Sequence, residues 1–157
     1  MLNDKKIAIL GVGNMGEALV SGLIGSKSSA PKNIICTDVR QSKLDEIKST
    51  YNVRTTDKNL QAVTEADIVI YAVKPQILAT VLIETAPKLD TSKLVISIAA
   101  GVPLAAMETC VKMDLRLIRV MPNIAAAVKE AATAIAAGAH ATQEDIQLAM
   151  EIFNSIG

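Results

Sequence analysis

Apolar residues come in short unbroken runs along this chain: Ile7-Ala8-Ile9-Leu10, Ile34-Ile35-Cys36, Ile68-Val69-Ile70-Tyr71-Ala72-Val73 and Leu94-Val95-Ile96. Runs without polar alternation read as strands covered on both faces, as in a parallel sheet. The pattern predicts strands over 7–10, 33–38, 67–73 and 93–98, with a short one over 53–55. Residues 115–121 form a further strand whose two arginines place it nearer an edge, and 131–138 an alanine-rich last one. Helical spacing fills the gaps. Glu17 to Ile24 follow the first strand, and residues 42–50 carry Leu44, Ile47 and Lys48 at i, i+3, i+4. Short helices are predicted over 57–64 and after Pro103, and a longer one from Pro75, which suits a first turn, to about Ala86. Thr142-Gln143-Glu144-Asp145 resembles a capping box opening a helix with Ile146, Met150 and Phe153 on one face. Strands alternating with helices predict a doubly wound, mostly parallel α/β sheet with helices on both faces.

The first strand runs directly into Gly11-Val12-Gly13-Asn14-Met15-Gly16, a G-x-G-x-x-G between a strand and a helix. Gly11 permits the tight turn, Gly13 lets a pyrophosphate approach the backbone, and Gly16 lets the helix pack on the strand. Free N–H groups at the helix start then face phosphates. The expectation is a Rossmann-like fold that binds a dinucleotide. Ligands in such sheets lie beyond the carboxyl ends of the strands. That rule nominates residues 11–16, 38–40, 72–75, 98–101 and 121–123 as one cleft. Asp38, 22 residues beyond Gly16, can accept from an adenosine ribose, and Arg40 can attract a 2′-phosphate, so NADH and NADPH both stay open. The fixed position of Asp38 at the strand end predicts a modest NADH preference.

Composition narrows the classes. At 157 residues the chain fits one domain, with three aromatic residues and therefore an aliphatic core. Sixteen basic residues balance sixteen acidic ones, which argues against a nucleic-acid surface. No apolar run approaches the ~20 residues of a membrane span, and the early strand leaves no room for a signal peptide. Cys36 and Cys110 lack C-x-x-C spacing and read as reduced thiols, which fits a cytoplasmic protein. One histidine, His140, cannot anchor a His-rich metal site and suits a surface turn, so no metal is expected.

Three strings make a more specific match. Ala72-Val73-Lys74-Pro75-Gln76, Ser97-Ile98-Ala99-Ala100-Gly101-Val102 and Arg119-Val120-Met121-Pro122-Asn123 resemble pyrroline-5-carboxylate reductase, and the resemblance extends from about Ile7 to Gly157. It implies an N-terminal domain that holds NADH or NADPH, in an enzyme that reduces Δ1-pyrroline-5-carboxylate to L-proline. It implies that Leu10, Gly11, Val12, Gly13, Asn14 and Met15 line the pyrophosphate. Ala72, Val73, Lys74 and Pro75 hold the nicotinamide-side ribose by the same implication, and Ile98, Ala99 and Ala100 lie near the nicotinamide. Asn59, eight residues before Asp67, meets the adenine-side ribose, and Met121, Pro122 and Asn123 lie on the substrate side. The family continues the last string with Thr-Pro-Ala, where this chain has Ile124-Ala125-Ala126. It also carries an all-helical domain that forms the dimer and much of the substrate pocket. The chain stops at Asn154-Ser155-Ile156-Gly157, about where the last strand of the first domain would begin, so that second domain is expected to be absent.

Hydride transfer to an imine asks little acid–base machinery of the protein. That fits a sequence with no Ser-His-Asp constellation and no paired catalytic carboxylates, and no catalytic acid is named. Two alternatives stand beside this one: another NAD(P)-dependent oxidoreductase of the β-hydroxyacid dehydrogenase type, and a stand-alone nucleotide-binding module. The small-molecule substrate is common to the two enzyme readings; a homo-oligomer is expected of the full-length family.

Overall fold

The computed structural model describes residues 2–111, 113–122 and 133–156. Seven strands form one sheet: β1 (Ile7–Leu10), β2 (Ile34–Thr37), β3 (Arg54–Thr56), β4 (Ile68–Tyr71), β5 (Leu94–Ser97), β6 (Arg116–Pro122) and β7 (Thr133–Ala137). Their order is β3-β2-β1-β4-β5-β6-β7, parallel except for β7, which runs antiparallel to β6. Helices α1 (Asn14–Gly25), α2 (Gln41–Tyr51), α3 (Asn59–Glu65), α4 (Pro75–Thr85), α5 (Leu104–Val111) and α6 (Gln143–Asn154) connect and follow them. The predicted doubly wound, Rossmann-like sheet is therefore present.

Period-two alternation divides the core in two. Ile7 and Ile9 of β1 face a cluster with Leu19 and Leu23 of α1, Leu44 and Ile47 of α2, and Leu148 and Ile152 of α6. Ala8 and Leu10 face the other way, onto Val63 of α3, Leu78 and Leu82 of α4, and Met107 of α5. Four central strands are buried at every position, which explains their unbroken apolar sequence. The sheet order changes direction between β1 and β4: the chain leaves β1 toward β2 and β3, then returns to β4 on the opposite side. Cys36 is buried, its thiol pushed up to about 12 by burial, and Cys110 is partly buried on α5; both are unpaired.

The arginine-bearing strand β6 lies nearer an edge, as expected, with β5 on one side and the edge strand β7 on the other. Arg116 reaches off its start to Asp145, with Nη2 to Oδ1 at 2.6 Å, and donates from Nη1 to the Thr91 carbonyl at 3.1 Å. The capping box of α6 is formed: Thr142 N–H donates to Asp145 Oδ2 at 2.9 Å and Asp145 N–H to Thr142 Oγ1 at 3.1 Å. Its buried face, however, is Asp145, Leu148, Ala149, Ile152 and Phe153, while Met150 is half-exposed. A buried carboxylate occupies the phase where an apolar residue was sought.

Candidate functional site

The glycine turn lies at the point where the sheet order reverses. Gly11 N–H donates to the Thr37 carbonyl at the end of β2, and Ala72 N–H donates to the Leu10 carbonyl, both at 2.8 Å. The turn is thus fastened between β2 and β4. Each glycine is required for a different reason. Gly11 has φ +97°, and a Cβ there would sit 2.8 Å from the Ala72 carbonyl oxygen. At Gly16 a Cβ would fall 2.1 Å from the Gly11 carbonyl oxygen, so α1 could not seat on the turn. At Gly13 a Cβ would meet nothing within 4 Å. Gly13 is the residue that precedes α1, and no side chain caps the helix there. The first-turn N–H groups of α1 therefore point, with the positive end of the helix dipole, into open space beside a residue without a side chain.

The other nominated strand ends gather on the same edge. Val73 flanks Gly11, its Cγ1 3.3 Å from the position of a Gly11 Cβ. Lys74 precedes α4 and is exposed, and Pro75 supplies its first turn. Beyond β5, Ile98 N–H donates to the Tyr71 carbonyl and Ala99 N–H to Ser97 Oγ, each at 3.2 Å; Ala100 is exposed. Met121 is half-exposed near the end of β6, which closes at Pro122. Asn123 and the 124–132 stretch lie outside the described residues.

The β2 end differs from a simple ribose acceptor. Asp38 Oδ2 accepts from Val12 N–H at 3.1 Å, and Oδ1 from Arg40 N–H at 2.9 Å. Arg40 adds a fork, Nε to Oδ1 at 2.9 Å and Nη2 to Oδ2 at 3.0 Å. Burial pushes the Asp38 carboxyl up, but the guanidinium and the two backbone N–H groups outweigh it and hold the group at about 2. Asp38 is therefore charged and fully engaged at neutral pH. Asn59 is engaged too: Oδ1 accepts from Thr37 Oγ1 at 2.5 Å and Nδ2 donates to Glu84 Oε1 at 2.9 Å.

One residue beside the turn has no local signal in the sequence. Glu17, in the first turn of α1, takes Lys43 Nζ at 2.6 Å and Tyr51 O–H at 3.1 Å, which ties α1 to α2 beside the turn. Val39, between Asp38 and Arg40, is wholly exposed and offers an apolar surface beside them. An exposed valine in a turn is visible only once its environment is known.

Comparison with known proteins agrees with this geometry. Pyrroline-5-carboxylate reductase from Methanosarcina acetivorans is 44% identical over 156 residues, 99% of this chain and 58% of that protein. The structure of a pyrroline-5-carboxylate reductase from Coxiella burnetii superposes with a TM-score of 0.95 at 35% identity, covering 99% of this chain and 57% of that one. Pyrroline carboxylate reductase from Plasmodium falciparum, solved with NADP bound, gives a TM-score of 0.88 at 27% identity over 100% of this chain and 57% of that one. The chain thus spans somewhat more than half the length of these relatives. Residues 6–101, from before β1 to the turn after β5, match the family described as NADP oxidoreductase, coenzyme F420-dependent, and the chain belongs to that family.

Proposed function

We propose that this chain is the cofactor-binding unit of an NAD(P)H-dependent reductase that converts Δ1-pyrroline-5-carboxylate to L-proline. The observation that carries the nucleotide part is the open approach at Gly13, between a residue that must be left-handed and one that must lack a side chain. The residues present fit a dinucleotide. Leu10 to Gly16 would hold the pyrophosphate through backbone N–H groups. Asp38, Val39 and Arg40 would face the adenosine side, and Asn59 would join them by exchanging one of its two present bonds. Ala72 to Pro75 and Ile98 to Ala100 would flank the nicotinamide, with Met121 to Asn123 toward the substrate.

The nicotinamide supplies a hydride when bound, and a protonated imine is already electrophilic. What remains for this chain is to hold the ring against an apolar wall and to keep water out. The substrate class rests on the similarity to reductases of that name over 99% of the chain. The reading brings with it a helical, dimer-forming substrate unit in the full-length protein, and a cytoplasmic setting suited to two unpaired thiols.

Calorimetric titration with NADH and NADPH tests the cofactor site, with Gly13→Val as the control. Binding by the wild type and a loss of tenfold or more in the variant are expected; equal binding by both would overturn the assignment. At enzyme concentrations matching the cofactor, L-proline should accumulate from pyrroline-5-carboxylate, whereas β-hydroxyacids should leave NAD(P)+ unreduced. The reverse selectivity would reassign the substrate.

A further inference from the structure

We infer that Asp38 is a positioning residue: it holds the Arg40 guanidinium against the glycine turn so that Arg40 can receive the 2′-phosphate of NADPH. The inference rests on the cofactor site proposed above and departs from the usual reading of an acidic residue at this place, which makes it the acceptor for a ribose diol and a bar to NADPH.

Geometry separates the two roles. A ribose acceptor must offer a lone pair into the cleft, yet the Asp38 side chain is only 7% exposed. Its four hydrogen bonds go to Val12 N–H, Arg40 N–H, Arg40 Nε and Arg40 Nη2. The same carboxylate therefore grips the backbone of the glycine turn and the side chain of Arg40. Arg40 is the exposed member of the pair, with 56% of its side chain open to solvent. Two of its five N–H groups are spent on Asp38, and the Nη1 pair and one Nη2 hydrogen remain for an incoming anion. A guanidinium held by a fork on one edge presents the other edge in a fixed plane, which is the geometry that suits phosphate. An unheld arginine would have to lose several rotamers on binding. The Asp38 charge is offset where it stands, so its repulsion of the phosphate is reduced while its grip on the cation is kept.

The consequence runs against charge counting. Removing the acidic residue should weaken NADPH binding. In calorimetric titrations of the 157-residue chain, Asp38→Asn is expected to lower NADPH affinity about tenfold and NADH affinity by a factor of about two or less. Arg40→Ala should lose at least as much for NADPH and little for NADH, and the double variant should lose no more than Arg40→Ala alone. A general disturbance of the glycine turn would instead weaken both cofactors alike. Arg40→Lys tests the fork without touching the contact to Val12: it keeps the charge and should still lose most of the NADPH affinity that Arg40→Ala loses. Higher NADPH affinity in Asp38→Asn, a larger loss for NADH than for NADPH, or an Arg40→Lys chain indistinguishable from wild type would each overturn the inference and leave the cofactor site standing. Failure of the wild type to bind either cofactor would remove both.

Discussion

A methyl group at Gly16 would lie 2.1 Å from the carbonyl oxygen of Gly11, against backbone that cannot rotate away. One at Gly11 would meet the Ala72 carbonyl at 2.8 Å and sit at φ +97°. Alanine at either place should cost about 1–3 kcal/mol or more in strain and displacement. Gly13→Ala meets no neighbour and has φ −70°, so it should cost about 1 kcal/mol or less and leave the fold intact. Thermal melting of the three variants should therefore rank Gly13→Ala as the stable one, while titration with NADPH finds it impaired. Equal melting of all three would contradict this division of roles. At this scale the spacing of the glycines was legible, because each role is tied to a position in one local turn. The Asp38–Arg40 fork was not: the sequence puts a carboxylate and a guanidinium two residues apart, but only the backbone of the turn decides whether they face a ligand or each other. Lys93 is a similar case. Its Nζ donates to the Ala66 carbonyl at 2.6 Å, just past the end of α3, so Lys93→Met should cost about 1–2 kcal/mol in denaturant unfolding.

Ion pairs add to apolar contact in joining the elements. Asp145, 1% exposed in its side chain, binds Arg116 of β6 while capping α6 through Thr142 N–H. Burial pushes its carboxyl up, but the Arg116 bonds and the Thr142 N–H outweigh that, and the net shift is downward. A carboxyl lowered in the folded state stabilises fully above its unfolded value, about 3.9, and that contribution is lost as pH falls through the folded value. Unfolding free energy should therefore fall on acidification below about pH 4, and Asp145→Asn should flatten that fall while costing about 2–3 kcal/mol at neutral pH. Urea titrations at neutral and acidic pH measure both; an unchanged acid slope in the variant would remove Asp145 from the account. The same pair explains why the inward face of α6 departs from its apolar spacing. Apolar spacing put Ile146, Met150 and Phe153 inward; Phe153 is buried, but the row begins at the paired Asp145 and runs through Leu148, Ala149 and Ile152, with Met150 half-exposed. Arginines placed β6 nearer an edge, where it lies just inside β7, and the long side chain at its start leaves the sheet to reach Asp145. The buried central strands were legible because nothing polar interrupts them.

For the whole molecule, the arrangement follows from the reversal of strand order at β1 and β4, which brings the turns after both strands to one crevice. Among the described residues Ile98, Ala99, Ala100 and Met121, proposed to lie toward the nicotinamide end of that crevice, are all uncharged. The proposed substrate carries a carboxylate as well as an imine, and its orientation against the ring needs donors that hold the carboxylate in place. Lys74, exposed at the start of α4, is a cation on the rim, and Arg119 of β6 is partly buried beside Ser97. Two cations, one at the start of α4 and one on β6, can attract a carboxylate without fixing it in a near-attack geometry, and misplacement by about 1 Å costs on the order of a hundredfold. The chain also spans only 57–58% of the reductases it resembles, so further substrate contacts are expected from the rest of such a protein. We therefore predict tight cofactor binding without efficient turnover: NADPH loss on adding pyrroline-5-carboxylate should run about a hundredfold or more below that of a full-length reductase. Parallel measurement of L-proline formation guards against non-productive oxidation. Turnover equal to that of a full-length relative would show that the apolar wall and the two cations suffice to orient the substrate.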